Sequence, residues 1–191
     1  MVLEDLMPVS RDAEKLALAK QVQSQIDSMS YIPHILNPKA KDTMYRYLRN
    51  ALEIKNDLRD GKKYSNCLEG AIYAAYRMWT EEGIQPRLLV IYNDLDLKES
   101  AHAVCIFECG GKFYSVGQSR HPELKGKLKP YDSVEELADV YKQELTLKGY
   151  HPVGHTIRNL DVSKKEIGQK DTECWLTGNA ENLVTEILEA S

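Results

Sequence analysis

Cys67 and His102 are the residues of this chain whose types and settings could carry covalent chemistry. A thiol attacks a carbonyl as its thiolate, and a free cysteine is mostly protonated at neutral pH. A helix N-terminus and a nearby imidazolium both lower that pKa. Asn66 and Glu69 bracket Cys67 at the N-x-x-E spacing of a capping box, which places the cysteine in the first turn of a helix. His102 opens the apolar run Ala101 to Cys109, directly after a polar loop. On a strand, Val104 and Ile106 share its face, while Ala103, Cys105 and Phe107 take the other. A strand this apolar is expected at the centre of a sheet, where its first residue can look across at an adjacent helix N-terminus. Alone, each residue has an ordinary reading: a buried cysteine is a small hydrophobe, and a strand-end histidine is a satisfied structural group. Together, a capped cysteine helix followed by a histidine strand reads as a nucleophile with its base.

The elements that must position this pair follow from periodicity. A first helix is expected from about Ser10 to Met29, with Leu16, Ala19, Val22, Ile26 and Met29 recurring at helical spacing. Tyr31-Ile32-Pro33 ends it, because the residue before a proline leaves the helical region. Asn37-Pro38 starts a second helix, with Met44, Tyr47, Leu48, Ala51 and Leu58 as its buried stripe and Asp60-Gly61 as its stop. The third helix begins at Asn66, buries Leu68, Ile72, Ala75 and Trp79, and ends at Gly83. Arg87 to Tyr92 and Ala101 to Cys109 read as strands, and Gly110-Gly111 turns the chain into a third, Lys112 to Val116. Gln118 to Lys129 reads as a solvated basic loop. Asp132 to Leu147 is a fourth helix with Ser133 and Glu136 at capping-box spacing. Val153 to Val162 reads as a strand, and Asn179 to Ala190 as a C-terminal helix with Leu183, Val184, Ile187 and Leu188 inside. The pattern is α+β, in one domain with a helical part (1–60), a Cys/His core (61–147) and a C-terminal strand and helix (148–191).

Composition narrows the function classes. The chain has 191 residues, 42% hydrophobic and 28% charged, which is ordinary for a soluble globular protein. Its 25 basic residues against 29 acidic ones leave a net charge of −4, which argues against nucleic acid as a partner. No apolar run approaches the ~20 residues that span a bilayer, so no membrane partner is expected. The opening MVLEDLMPVSRDAEK lacks the basic-then-apolar order of a secretory signal, and a cytoplasmic protein is expected. The cysteines Cys67, Cys105, Cys109 and Cys174 form no C-x-x-C pair. Cys105 and Cys109 would stand about 13 Å apart on one strand face, too far for a disulfide. Ligand spacing for zinc is missing, and the proline and glycine between His151 and His155 forbid a helical metal face. No metal or cofactor is expected.

Residues 64–118 resemble the transglutaminase-like superfamily of papain-fold thiol enzymes. The stretches that carry the resemblance are YSNCLEGAIYAAYRMWTEEGIQPRLLVIY and AHAVCIFECGGKFYSVGQS. The family has a cysteine opening a helix, a G-I-x-x-R step into a strand, then H-A-x-V heading a strand. Gly83-Ile84-Gln85-Pro86-Arg87 and His102-Ala103-Val104 stand at those places, and Phe113-Tyr114 fill a later aromatic pair. The resemblance implies a papain-like core, Cys67 as nucleophile and His102 as general base and acid, acting on a peptide or protein substrate at an amide bond. It implies a protease, amidase or transglutaminase-like acyltransferase.

The family's third catalytic member is an aspartate at the end of the second hairpin strand, and that position here is Gly117. Gln118 is the nearest replacement able to accept the imidazole N–H; Ser119 is a weaker one. On a regular strand Gln118 faces away from the side of Gly117, so a bulge at the glycine would be needed to turn it inward. Asp94, Asp96 and Asp132 are more distant alternatives. The backbone N–H of Cys67 would give one oxyanion donor, and Tyr64, Asn66 and Ser119 border the site as substrate-binding candidates. Gly117 also favours a second reading, a binding module that keeps the fold without the chemistry. A third is an unrelated α+β domain with Cys67 in its core.

Overall fold

The computed structural model describes residues 7–32, 51–85, 87–93 and 101–159. Four helices are present there: α1 (Met7–Asp27), α2 (Ala51–Arg59), α3 (Cys67–Glu82) and α4 (Val134–Leu147). Two two-residue strands, β1 (Ser30–Tyr31) and β2 (Tyr64–Ser65), pair in parallel. The main sheet is antiparallel throughout, in the order β5-β4-β3-β6, from β3 (Arg87–Asn93), β4 (Ala101–Cys109), β5 (Lys112–Val116) and β6 (Pro152–Asn159). The expected α+β class holds. The expected start of the second helix, Cys174 and the C-terminal helix lie outside the described residues, as do Asp94 and Asp96.

Each face of the sheet carries its own core. Leu88, Val90, Tyr92, Ala103, Cys105, Phe107, Tyr114 and Val116 meet α1 and α3. Leu89, Ile91, Val104 and Ile106 meet α4 through Leu137, Ala138, Tyr141 and Leu145. This alternation is the period of two expected for β4, now with helices covering both faces. β4 is central, between β5 and β3.

α3 is enclosed on several sides, and this changes its expected inner face. Ala71, Ala74, Ala75 and Met78 face the sheet, because small side chains let the helix axis come close. Ile72 packs instead with Ala51 of α2, Leu68 touches both clusters, and Trp79 is only half-buried. Gly70 sits where a Cβ would stand 2.8 Å from Gln118 Cβ, so the first turns of α3 touch the chain just after β5. α1 docks on α3 through Gln25, whose Oε1 accepts from Tyr73 Oη at 3.0 Å and Arg77 Nη1 at 2.6 Å.

The stretch from Gln118 to Lys129 is not a solvated loop. It holds a short 3-10 turn, Pro122–Leu124, and runs back along the edge of β5. Ser115 N donates to Lys127 O at 2.9 Å, and Phe113 and Tyr131 exchange backbone hydrogen bonds. Gln118, Ser119 and Leu124 are buried. The sheet edge is thereby paired, which removes an open row of donors and acceptors. No helix among the described residues is long and apolar enough to cross a membrane.

Candidate functional site

Cys67 stands at the first position of α3, as the capping signature requires. Asn66 is extended (φ −102°, ψ −177°), and its Oδ1 accepts from Glu69 N at 2.9 Å. Gly83 closes the other end in the left-handed region, with φ 63°. Cys67 is buried, so its thiol lies at the positive end of the helix dipole with little water around it. Asn66, expected at the substrate site, is therefore committed to the helix start. Tyr64 is half-buried on β2, in register with Ser30. Between them Ser65 is 1% exposed, and its Oγ has no hydrogen-bond partner among the described residues. A buried hydroxyl without a partner two residues before the cysteine carries a donor that is still available. Sequence reasoning did not single out Ser65, since nothing in its local pattern separates it from an ordinary strand serine.

His102 opens β4 and is buried. Its ring lies on the α4 face of the sheet, 5.5 Å from the Tyr141 ring and tilted 50° to it. Nε2 is 2.7 Å from the Leu124 carbonyl oxygen. A carbonyl only accepts, so Nε2 carries the proton and Nδ1 keeps the lone pair. Burial pushes the imidazole down to about 4, the Leu124 hydrogen bond pulls the other way, and the charges of Lys127 and His121 lower it further. His102 is thus a neutral base with a fixed tautomer at neutral pH.

The third-position candidates fall elsewhere. Gln118 Nε2 donates to Ile26 O at 2.9 Å and Met29 O at 2.8 Å, and its Oε1 accepts from Ser119 N at 2.9 Å. It ties the chain to the end of α1 and does not hold the imidazole. The physical reason is strand alternation. The β4–β5 pairing runs in one register from Lys112 to Val116, no bulge turns the chain, and Gln118 stays on the α3 face against Gly70. Ser119 Oγ accepts from His121 N at 3.1 Å and serves the local turn. Asp132 is exposed and pairs with Lys112. The acceptor that His102 finds is the main-chain carbonyl of Leu124, which no side-chain pattern could reveal.

Gly117 is explained by space. A Cβ there would stand 2.7 Å from Val104 Cγ1, so the side chain of Val104, two residues along β4 from His102, fills the volume an aspartate would need. Gly117 N donates to Gln23 Oε1 at 3.0 Å, and Gly117 O accepts from Gln23 Nε2 at 3.1 Å. The α1 side chain pairs with this peptide as a neighbouring strand would.

Cys67 and His102 are brought to the same end of the sheet, on elements that cover different faces. α3 packs on the Ala103 face and His102 points to the α4 face. That end is where β4 begins, β5 ends and α3 starts, with Gln118 against Gly70 marking the junction, and the charges that act on His102 there are those of Lys127 and His121. The remaining thiols are set apart. Burial raises Cys105 to about 12, and burial followed by the charge of Asp12 raises Cys109 to about 11. Cys109 donates to Asp12 O at 3.3 Å. No protein-family model matches the chain, and no curated protein matches it.

Proposed function

We propose that this protein is a cysteine-nucleophile acyl-transfer enzyme with a papain-like, transglutaminase-like core, acting on peptide or amide bonds. The observation that carries the reading is the His102 tautomer: a buried neutral imidazole donates from Nε2 to Leu124 O and leaves Nδ1 as a base, at the end of the sheet where Cys67 opens α3. In this reading His102 takes the thiol proton as Cys67 Sγ attacks the carbonyl carbon. A tetrahedral oxyanion forms and collapses to a thioester, and His102 returns the proton to the leaving amine. Water, deprotonated by the same imidazole, then releases the acid and restores the thiol. The Cys67 N–H is one oxyanion donor, and Ser65 Oγ is a second available donor nearby in sequence.

A second reading is favoured by a specific observation. His102 faces α4 and the family's aspartate position is filled by Val104, which suits a binding module that keeps the fold without the chemistry. An activated ester separates the two. With p-nitrophenyl acetate the enzyme reading expects a rapid burst and one acetyl group on Cys67 by mass spectrometry, absent in Cys67→Ala. Acetylation spread over surface lysines, with no burst, would support the binding module.

A further inference from the structure

Tyr141 is the buried titratable group that this mechanism leaves unused, and it sits beside the base. Its hydroxyl hydrogen can be traced. Tyr141 Oη donates to Lys125 O at 2.9 Å. Ser115 Oγ lies 2.8 Å from Tyr141 Oη and accepts from Lys127 N at 2.9 Å. Since the tyrosine proton is spent on Lys125, the serine proton must go to Tyr141 Oη. The chain therefore runs from Lys127 N to Ser115 Oγ, to Tyr141 Oη, to Lys125 O. Both ends of it are main-chain groups of the segment that follows Leu124.

The same segment is held from the other side. Gly126 N donates to Gly117 O at 3.2 Å, and a Cβ at residue 126 would stand 2.2 Å from Gln23 Oε1 and 2.6 Å from Val116 Cα. Only glycine fits there. Upstream, the 3-10 turn is closed by Leu124 N to His121 O at 3.0 Å. Leu124 thus lies between two anchored stretches, and its carbonyl is the group bonded to His102 Nε2. The Tyr141 ring also lies along the imidazole, on the same face.

We propose that Tyr141 is a positioning residue of the thiol site: through Ser115 and the main chain of residues 124–127 it holds the Leu124 carbonyl on His102 and so fixes the imidazole tautomer. A backbone carbonyl takes the place of the missing carboxylate, and a buried tyrosine–serine pair keeps it in place. The role rests on the thiol-site reading above. A phenol acting through two main-chain links supplies no proton to the reaction. Its effect is to keep Nδ1 unprotonated and aimed.

The test is Tyr141→Phe in the full chain, which keeps the ring and removes the hydroxyl. Ser115→Ala breaks the same hydrogen-bond chain one link earlier and is the second variant. Long-range nitrogen–proton NMR reads the His102 tautomer directly, with the signals assigned by their loss in His102→Gln. Mass spectrometry reads Cys67 alkylation by iodoacetamide in the same samples. The unmodified chain should show the Nε2–H form alone. Tyr141→Phe should show a mixture of both tautomers, and Cys67 alkylation should fall by roughly tenfold, the scale of one lost interior hydrogen bond. Ser115→Ala should move both readouts the same way. An Nδ1–H tautomer in the unmodified chain, or unchanged spectra and rates in the folded variants, overturns the proposal. So does a changed tautomer with an unchanged Cys67 rate, because the clamp would then be structural. Failure of the thiol-site reading is visible separately, as an ordinary thiol rate for Cys67 before any variant is compared.

Discussion

At the scale of single residues, His102 and Gly117 explain each other's surroundings. An imidazole with its pKa near 4 is neutral in the folded chain, while in the unfolded chain it titrates at about 6.5. Above that value neither state binds the proton. As the pH falls from about 6.5 towards 4, the unfolded chain takes up a proton that the folded chain refuses, so stability falls. Urea unfolding should lose about 2 kcal/mol between pH 7 and 5 from this residue, and His102→Gln should lose that component of the slope. Equal pH slopes in the two proteins would contradict burial of a neutral imidazole. Gly117→Asp tests the other residue. A carboxylate at this position should cost about 2 kcal/mol by overpacking against Val104, and Val104→Ala should recover part of it. Independent, additive losses would mean that Val104 is not what excludes the side chain. Cys67 at a helix start, His102 at the head of a strand and Gly117 after the hairpin are legible as residue types in order. The Leu124 acceptor was not, because a main-chain carbonyl has no side-chain signature.

At the scale of elements, caps and alternation proved the readable features. Asn66 caps α3 and Ser133 caps α4, with Oγ accepting from Glu136 N at 3.0 Å, both as their spacing implies. Asn66→Ala should cost about 1 kcal/mol in thermal or urea unfolding. By loosening the helix start beside Cys67, it should also slow alkylation of that thiol at neutral pH. A stability loss without any change in the Cys67 rate would remove the helix terminus from the account. The buried stripe of α3 was misjudged for a physical reason. Ala75 faces the sheet as its spacing implies, but its companions there are Ala71, Ala74 and Met78, since a helix lying close on a sheet needs small side chains, while Ile72 is taken by α2 and Leu68 touches both clusters. The face alternation of β4 was correct, and it places His102 on the α4 side. What periodicity could not supply is which helix covers which face.

At the scale of the whole molecule, the site depends on contacts between distant parts of the chain. Gln23 binds both the N–H and the carbonyl of Gly117, 94 residues away. Ile26 of the same helix and Met29, two residues past its end, accept the Gln118 amide. Helix α1 thereby fixes the end of β5, the close approach at Gly126 and the start of the Leu124 segment. Gln23→Ala should destabilise the protein by about 1–2 kcal/mol, because it leaves the buried Gly117 N–H without its partner while the carbonyl keeps Gly126 N. A change below about 0.5 kcal/mol in urea unfolding would show that water replaces the amide. None of this was visible in sequence, where residues 118–129 read as a solvated basic loop. Their composition is polar, and only the long-range pairing with β5 and α1 buries Gln118, Ser119 and Leu124.

The most direct test of the thiol-base pair is the alkylation rate of Cys67 against pH, followed by mass spectrometry in the native protein and in His102→Ala. Cys105 and Cys109, raised by burial, serve as internal slow references. The account predicts that Cys67 reacts faster at neutral pH than a buried thiol without a base, because neutral His102 takes its proton, and that His102→Ala removes this acceleration. A Cys67 that is inert, or that titrates as an ordinary thiol whatever stands at position 102, would contradict the enzyme reading and leave the binding module in its place.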